Sequence, residues 1–143
     1  MDNTGNISFY FKEVSIPGFS EKEIREWIIK AIKYEGEEPG DISFIFCTDD
    51  YLYQMNLQYL GHDTLTDIIT FDYCEECGNI SGDLFISVDR VRDNARELNL
   101  PFEEELKRVI IHGVLHLFGY NDKDPASEAL MHQRENYYLT LQA

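Results

Sequence analysis

Hydrophobic and polar positions recur along this chain with two periods, near 2 and near 3.6, and the switches between them predict four strands and five helices. Ile7 to Phe11 is a short β-prone run with aromatics and reads as a first strand. Ser20-Glu21-Lys22-Glu23 has the form of a capping box, and Ile24, Trp27, Ile28 and Ala31 follow at helical spacing, predicting a helix over about 21–34. Glu35 to Gly40 reads as a polar turn, and Ile42 to Cys47 as a compact apolar strand. Asp49 is placed to cap a second helix carrying Leu52, Met55, Asn56 and Tyr59.

Thr66 to Tyr73 and Asp83 to Val88 are two further β-prone runs, and the short connection between them predicts antiparallel neighbours. From Asp89 onward the pattern is helical: about 89–98, then 102–118 after Pro101, then 126–140. Leu106, Ile110, Gly113 and Leu117 form one stripe of the middle helix. Strands mostly first and helices mostly last predict an α+β fold, a small four-stranded mixed sheet packed against about five helices.

Length and composition narrow the class. The 143 residues suit one domain spanning 1–143, and 43% hydrophobic with 13% aromatic content argues against a disordered tail. No run approaches 18 apolar residues, so no membrane partner is expected. The first residues lack the basic and apolar regions of a secretory signal, and three cysteines, an odd number, suit a reducing cytoplasm. Cys47 reads as strand packing, and Cys74-Glu75-Glu76-Cys77, a single C-x-x-C in a loop, as free surface thiols.

Charge complicates the picture. Twelve Lys+Arg stand against 27 Asp+Glu, for a net −15, which as a uniform surface would repel nucleic acid. No Lys or Arg lies between Lys33 and Arg90; cations return at Arg90, Arg92, Arg96, Lys107 and Arg108. These read as solvated helix faces or, more sharply, as a local patch facing phosphate.

The chemistry concentrates in one helix. His112-Gly113-Val114-Leu115-His116 puts two imidazoles four residues apart, on nearly the same side and about 6 Å apart along the axis. Both can reach one zinc ion at about 2.0–2.1 Å. Gly119 is positioned to stop the helix and turn the chain back, and Asp122 follows six residues after His116. The pattern H-x-x-x-H-x-x-G-x-x-D has zincin-like ligand spacing with a carboxylate in third place. Asp124, His132 and Glu135 are the other third-ligand candidates, and Glu135 could instead orient a ligand imidazole. A zinc peptidase of the H-E-x-x-H type needs a glutamate after the first histidine; Gly113 stands there and argues against that chemistry.

The run His112-Gly113-Val114-Leu115-His116-Leu117-Phe118-Gly119-Tyr120-Asn121-Asp122 resembles the H-G-x-L-H-L-x-G-Y-D-H signature of the YbeY family of rRNA-maturation endoribonucleases. Asn56 to Tyr59, Asp63 and Thr66 to Phe71 resemble its N-x-x-Y-R-x-x-D-x-P-T-D-V-L-S-F stretch, and Ser81 to Ile86 its G-D-I-x-I strand. Met131 and Glu135 fall where its last helix carries Met and Glu. The resemblance implies a single-strand-specific endoribonuclease using one zinc ion, active in maturing the small-subunit RNA 3′ end and in ribosome quality control. It implies metal ligands His112 and His116, with Asp122 at the place of the family's third histidine. Expected partners are single-stranded or ribosomal RNA and small-subunit proteins or assembly factors, with no DNA.

Two departures stand out. The family's arginine after the tyrosine is Leu60, the nearest cation being His62, and the proline before its T-D is Leu65. His62 and Asp83 are therefore the candidates for catalytic work, with Asp67 and Asp83 also able to orient ligands or bind through water. A chain that lost the arginine could alternatively be a non-catalytic, zinc-stabilised assembly factor.

Overall fold

A computed structural model describes residues 6–61, 66–73, 80–120 and 123–141. The elements run β1 (Ile7–Phe11), α1 (Glu21–Tyr34), β2 (Pro39–Cys47), α2 (Asp49–Leu60), β3 (Ile68–Asp72), β4 (Ile80–Ser87), α3 (Val88–Leu98), α4 (Phe102–Leu117) and α5 (Pro125–Thr140). The sheet order is β1-β2-β4-β3, with β1, β2 and β4 parallel and β3 antiparallel to β4. The α+β class, the four-stranded mixed sheet and the five helices are those expected, as is the antiparallel β3–β4 pair.

Each sheet face carries its own alternation. Phe44, Phe46, Leu84 and Ile86 point into the main core, where α1, α4 and α5 supply Trp27, Ile28, Ile110, Val114 and Tyr138. Cys47, Leu52 and Ile69 form a second, smaller core with Met55, Phe71 and Phe85, which places α2 on the opposite face. Cys47 is indeed packing: it is buried, donates weakly to the Ile86 carbonyl, and desolvation pushes its thiol up to about 12.

Several local expectations need correction. Pro39 and Gly40 are not part of a turn. They open β2 as buried residues, a position where proline's missing N–H is tolerated, and an irregular register between Pro39 and Ile42 follows. β4 starts earlier than the sequence suggests, because Ile80 donates to the Glu38 carbonyl at 2.8 Å. Ser20 caps α1 as expected, accepting from the Glu23 amide. The cap of α2, however, is Thr48, whose hydroxyl accepts from the Tyr51 amide at 3.1 Å. Asp49 instead accepts from the Ser87 hydroxyl and the Arg90 guanidinium, each at 2.7 Å, tying α2 to the start of α3.

α4 meets the sheet at closest range where its side chain is smallest. A Cβ at Gly113 would lie 2.3 Å from Leu84 Cδ2 and 2.6 Å from Ile68 Cδ1. The position that holds glutamate in H-E-x-x-H peptidases is here the contact between helix and sheet, so a longer side chain has no space there.

Candidate metal centre

The last turn of α4 places His112 and His116 one turn apart on the side facing α5 rather than the sheet. Their rings cross at 81° with Nε2 atoms 3.0 Å apart. What fixes them is the other nitrogen of each ring. His112 Nδ1 lies 2.5 Å from Glu135 Oε2, and His116 Nδ1 lies 3.0 Å from the Tyr120 carbonyl oxygen. Both partners only accept, so each Nδ1 carries a proton and each Nε2 is turned toward the other. Two ring nitrogens that close need a proton or a metal ion between them. The donor set therefore fits a metal ion.

Glu135 is only 2% exposed, and its second oxygen takes Arg108 Nη1 at 3.2 Å and His132 Nδ1 at 3.4 Å. Burial alone would raise its pKa. The hydrogen bond and charge of His112, with help from Arg108 and His132, outweigh that and hold the carboxyl below its usual range. Glu135 is thus the orienting carboxylate, and His132 is its neighbour on the outer side.

The turn after α4 explains how the chain delivers a carbonyl to His116. Gly119 adopts φ +104°, its amide donates to the His116 carbonyl at 3.0 Å, and the Tyr120 amide donates to the Leu115 carbonyl at 3.1 Å. This is a Schellman turn, and only glycine takes that backbone angle without strain. It brings Tyr120 back over the last helical turn.

Of the other residues singled out from sequence, Asp67 sits just before β3. Burial raises its pKa and the nearby His112 opposes this; Asn94 Nδ2 donates to it at 3.4 Å. Asp124 is taken up as the cap of α5, accepting from the Ser127 amide at 2.8 Å and the Ser127 hydroxyl at 3.1 Å. Asp83 accepts from the Tyr73 hydroxyl at 2.7 Å. Because Leu84 faces Gly113, the alternation of β4 turns Asp83 to the opposite sheet face, and the structure does not bring it to the histidines. His62, Asp122 and the pair Cys74 and Cys77 lie outside the described residues. Among the described residues, no group of three or more His, Cys, Asp or Glu is arranged to hold a metal.

The proposed phosphate-facing row is largely self-occupied. Arg90 is committed to Asp49, Arg92 stacks 5.1 Å over the Phe102 ring, and Arg96 pairs with Asp93 at 3.2 Å. Arg108, by contrast, enters the site through Glu135. Sequence reasoning placed it only among the patch cations, and missed both its contact with Glu135 and the role of the Tyr120 main chain, because neither a second partner of a buried carboxylate nor a carbonyl direction leaves a periodic signal.

Fold and site define an α+β protein whose ligand-bearing helix presents a His-x-x-x-His pair held by an opposing carboxylate and a turn carbonyl. The profile of the Endoribonuclease YbeY family matches residues 6–142, and the chain belongs to that family. It is 50% identical over 135 residues to the Endoribonuclease YbeY of Phocaeicola vulgatus, covering 94% of this chain and 97% of that one. The Endoribonuclease YbeY of Flavobacterium johnsoniae is 52% identical over 123 residues, covering 85% and 87%. A solution structure, TM1509 from Thermotoga maritima, superposes with a TM-score of 0.65 at 30% identity, covering 94% of this chain and 87% of that one.

Proposed function

We propose that this protein is a zinc-dependent, single-strand-specific endoribonuclease that matures ribosomal RNA at the small-subunit 3′ end and serves ribosome quality control in the cytoplasm. Family membership supports the endoribonuclease activity and RNA as its substrate. The single observation that carries the metal is the pair of facing Nε2 atoms at 3.0 Å. Two nitrogens on one tetrahedral zinc stand about 3.3 Å apart, close to what the helix already provides. His112 and His116 would hold the ion, with Asp122 as the third ligand.

Bound zinc would supply Lewis acidity toward a phosphoryl oxygen and lower the pKa of a coordinated water. The chain's own part is preorganisation. Glu135 and the Tyr120 carbonyl orient both rings through their Nδ1 atoms before any ligand arrives, and His112, with help from Arg108, holds the Glu135 carboxyl below its usual range against its burial. Gly113 contributes no base, so proton transfer must come from elsewhere. Small-subunit proteins or assembly factors are the proposed source of additional affinity for RNA, since a −15 chain gains little from its own field.

Single-turnover cleavage of a single-stranded RNA tests this reading, with His116→Ala and a chelator as controls. Cleavage by the wild type that disappears in both controls is the expected result. Equal cleavage by wild type and His116→Ala would assign the activity to a contaminant. Zinc bound by a wild type that leaves RNA intact would favour the non-catalytic assembly factor, the reading that Leu60 in place of an arginine raises.

A further inference from the structure

We propose that Glu35, at the far end of the molecule's first helix, is a positioning residue for His116 and acts through Tyr120. Resting on the zinc reading above, this adds a second carboxylate to the support of the histidine pair. The path is continuous. The His116 ring is held by the Tyr120 carbonyl at 3.0 Å, and the Tyr120 hydroxyl donates to Glu35 Oε1 at 3.1 Å. One tyrosine thus has its main chain on the imidazole and its side-chain tip on the carboxylate.

Glu35 is itself immobilised on every side. It caps α1, its amide donating to the Ala31 carbonyl at 3.2 Å, and its second oxygen accepts the Tyr138 hydroxyl in a short hydrogen bond. Tyr138 is fully buried, its ring meets Tyr34 edge-on, and its carbonyl takes Trp27 Nε1 at 2.8 Å. Arg134 adds a guanidinium at 4.0 Å from Glu35 Oε2. A side chain 13% exposed, taking two tyrosine hydroxyls on its two oxygens, is a rigid post.

That post stands where rigidity is needed. The Schellman turn fixes the Tyr120 backbone from the helix side, its amide donating to the Leu115 carbonyl, and its ring packs against the main core. Holding the ring tip stops the residue from pivoting about that turn, which would swing its carbonyl off His116. Without such support a ligand imidazole loses its fixed orientation, and metal affinity falls by about 10- to 100-fold.

The test measures zinc affinity by competition with a chromogenic chelator, alongside thermal unfolding, for wild type, Tyr120→Phe, Glu35→Gln, Glu35→Ala and the double variant Tyr120→Phe/Glu35→Ala. Tyr120→Phe and Glu35→Ala are expected to weaken zinc about tenfold each. The double variant should be no weaker than the worse single, since both act on one contact, and Glu35→Gln should recover part of the loss. Thr48→Ala removes the cap of α2 and touches none of Glu35, Tyr120 or Tyr138, and is expected to lower the melting temperature while leaving zinc affinity within twofold. The proposal is overturned if Tyr120→Phe binds zinc like wild type, if the two losses multiply, or if Thr48→Ala weakens zinc equally. Tyr120→Phe removes one oxygen, so the test survives even if Glu35→Ala does not fold. His116→Ala separates the two levels: zinc binding unchanged by that substitution removes the metal reading itself. A loss confined to His116→Ala removes only the role of Glu35.

Discussion

A glycine inside a helix usually costs stability, yet Gly113 is where α4 comes nearest the sheet. Alanine there would press Leu84 and Ile68, both flexible side-chain ends, against a gain in helix propensity of about 1 kcal/mol. Gly113→Ala should therefore destabilise by about 1–2 kcal/mol in urea unfolding. Gly82→Ala should cost more, because its Cβ would meet the Phe71 carbonyl oxygen at 2.3 Å and backbone cannot yield as a side chain does. Equal costs would contradict this account. Glu105 offers a contrasting case on the same helix. It is 5% exposed with Oε1 unpartnered, and burial, then the charge of Asp67, raise its pKa. An acid whose folded pKa is raised binds more protons folded than unfolded, so its penalty appears as pH rises through that window and vanishes below the ordinary glutamate value. Glu105→Gln should then stabilise chelator-treated protein by about 1 kcal/mol at pH 8. Melts at pH 4 should show that gain gone, and a gain that grows on acidification would refute the assignment.

At the scale of elements, sequence periodicity located most helices and strands because amphipathic faces and caps are local signals. Ser20 and Ile24 to Ala31 announce α1 without any knowledge of its neighbours. Pro39-Gly40 was not legible as strand, since only pairing with β4 makes it one. The exchange of roles between Thr48 and Asp49 has the same origin: both are good caps by type, and the Ser87 and Arg90 partners that decide between them lie about forty residues away. The roles can be separated by experiment. Thr48→Ala removes a cap and should cost about 1 kcal/mol. Asp49→Ala leaves the half-buried Arg90 guanidinium with only the longer 3.7 Å pairing to Asp93, and should cost roughly 2 kcal/mol. If chemical denaturation finds Thr48→Ala the more damaging, the tie between α2 and α3 is unimportant.

For the whole molecule, the histidine pair was legible as a motif and Glu135 as a candidate to orient one of its rings, whereas the remaining supports were not. Glu35 is 85 residues from Tyr120, and no spacing rule links residues so far apart. The same holds for charge. A sequence shows three arginines on one helix, but only the fold reveals that Arg90 and Arg96 are spent on Asp49 and Asp93. RNA binding should accordingly release few counterions. With two or three phosphates contacted, each adding about 0.7 to the slope for a single strand, log K against log salt should fall no more steeply than about −2. Fluorescence anisotropy with a labelled single-stranded RNA gives this slope directly, and a value near −5 would show that cations beyond these arginines reach phosphate.

The carboxylate that orients His112 belongs to α5, and Trp27 and Glu35 of the amino-terminal third both close on Tyr138 of that same helix. During synthesis the two histidines emerge before their partners exist. A nascent chain interrupted short of residue 135 carries the recognisable motif without the means to aim it. Aiming of the pair therefore waits until α5 has been made and has docked, so the motif by itself is not yet a working site.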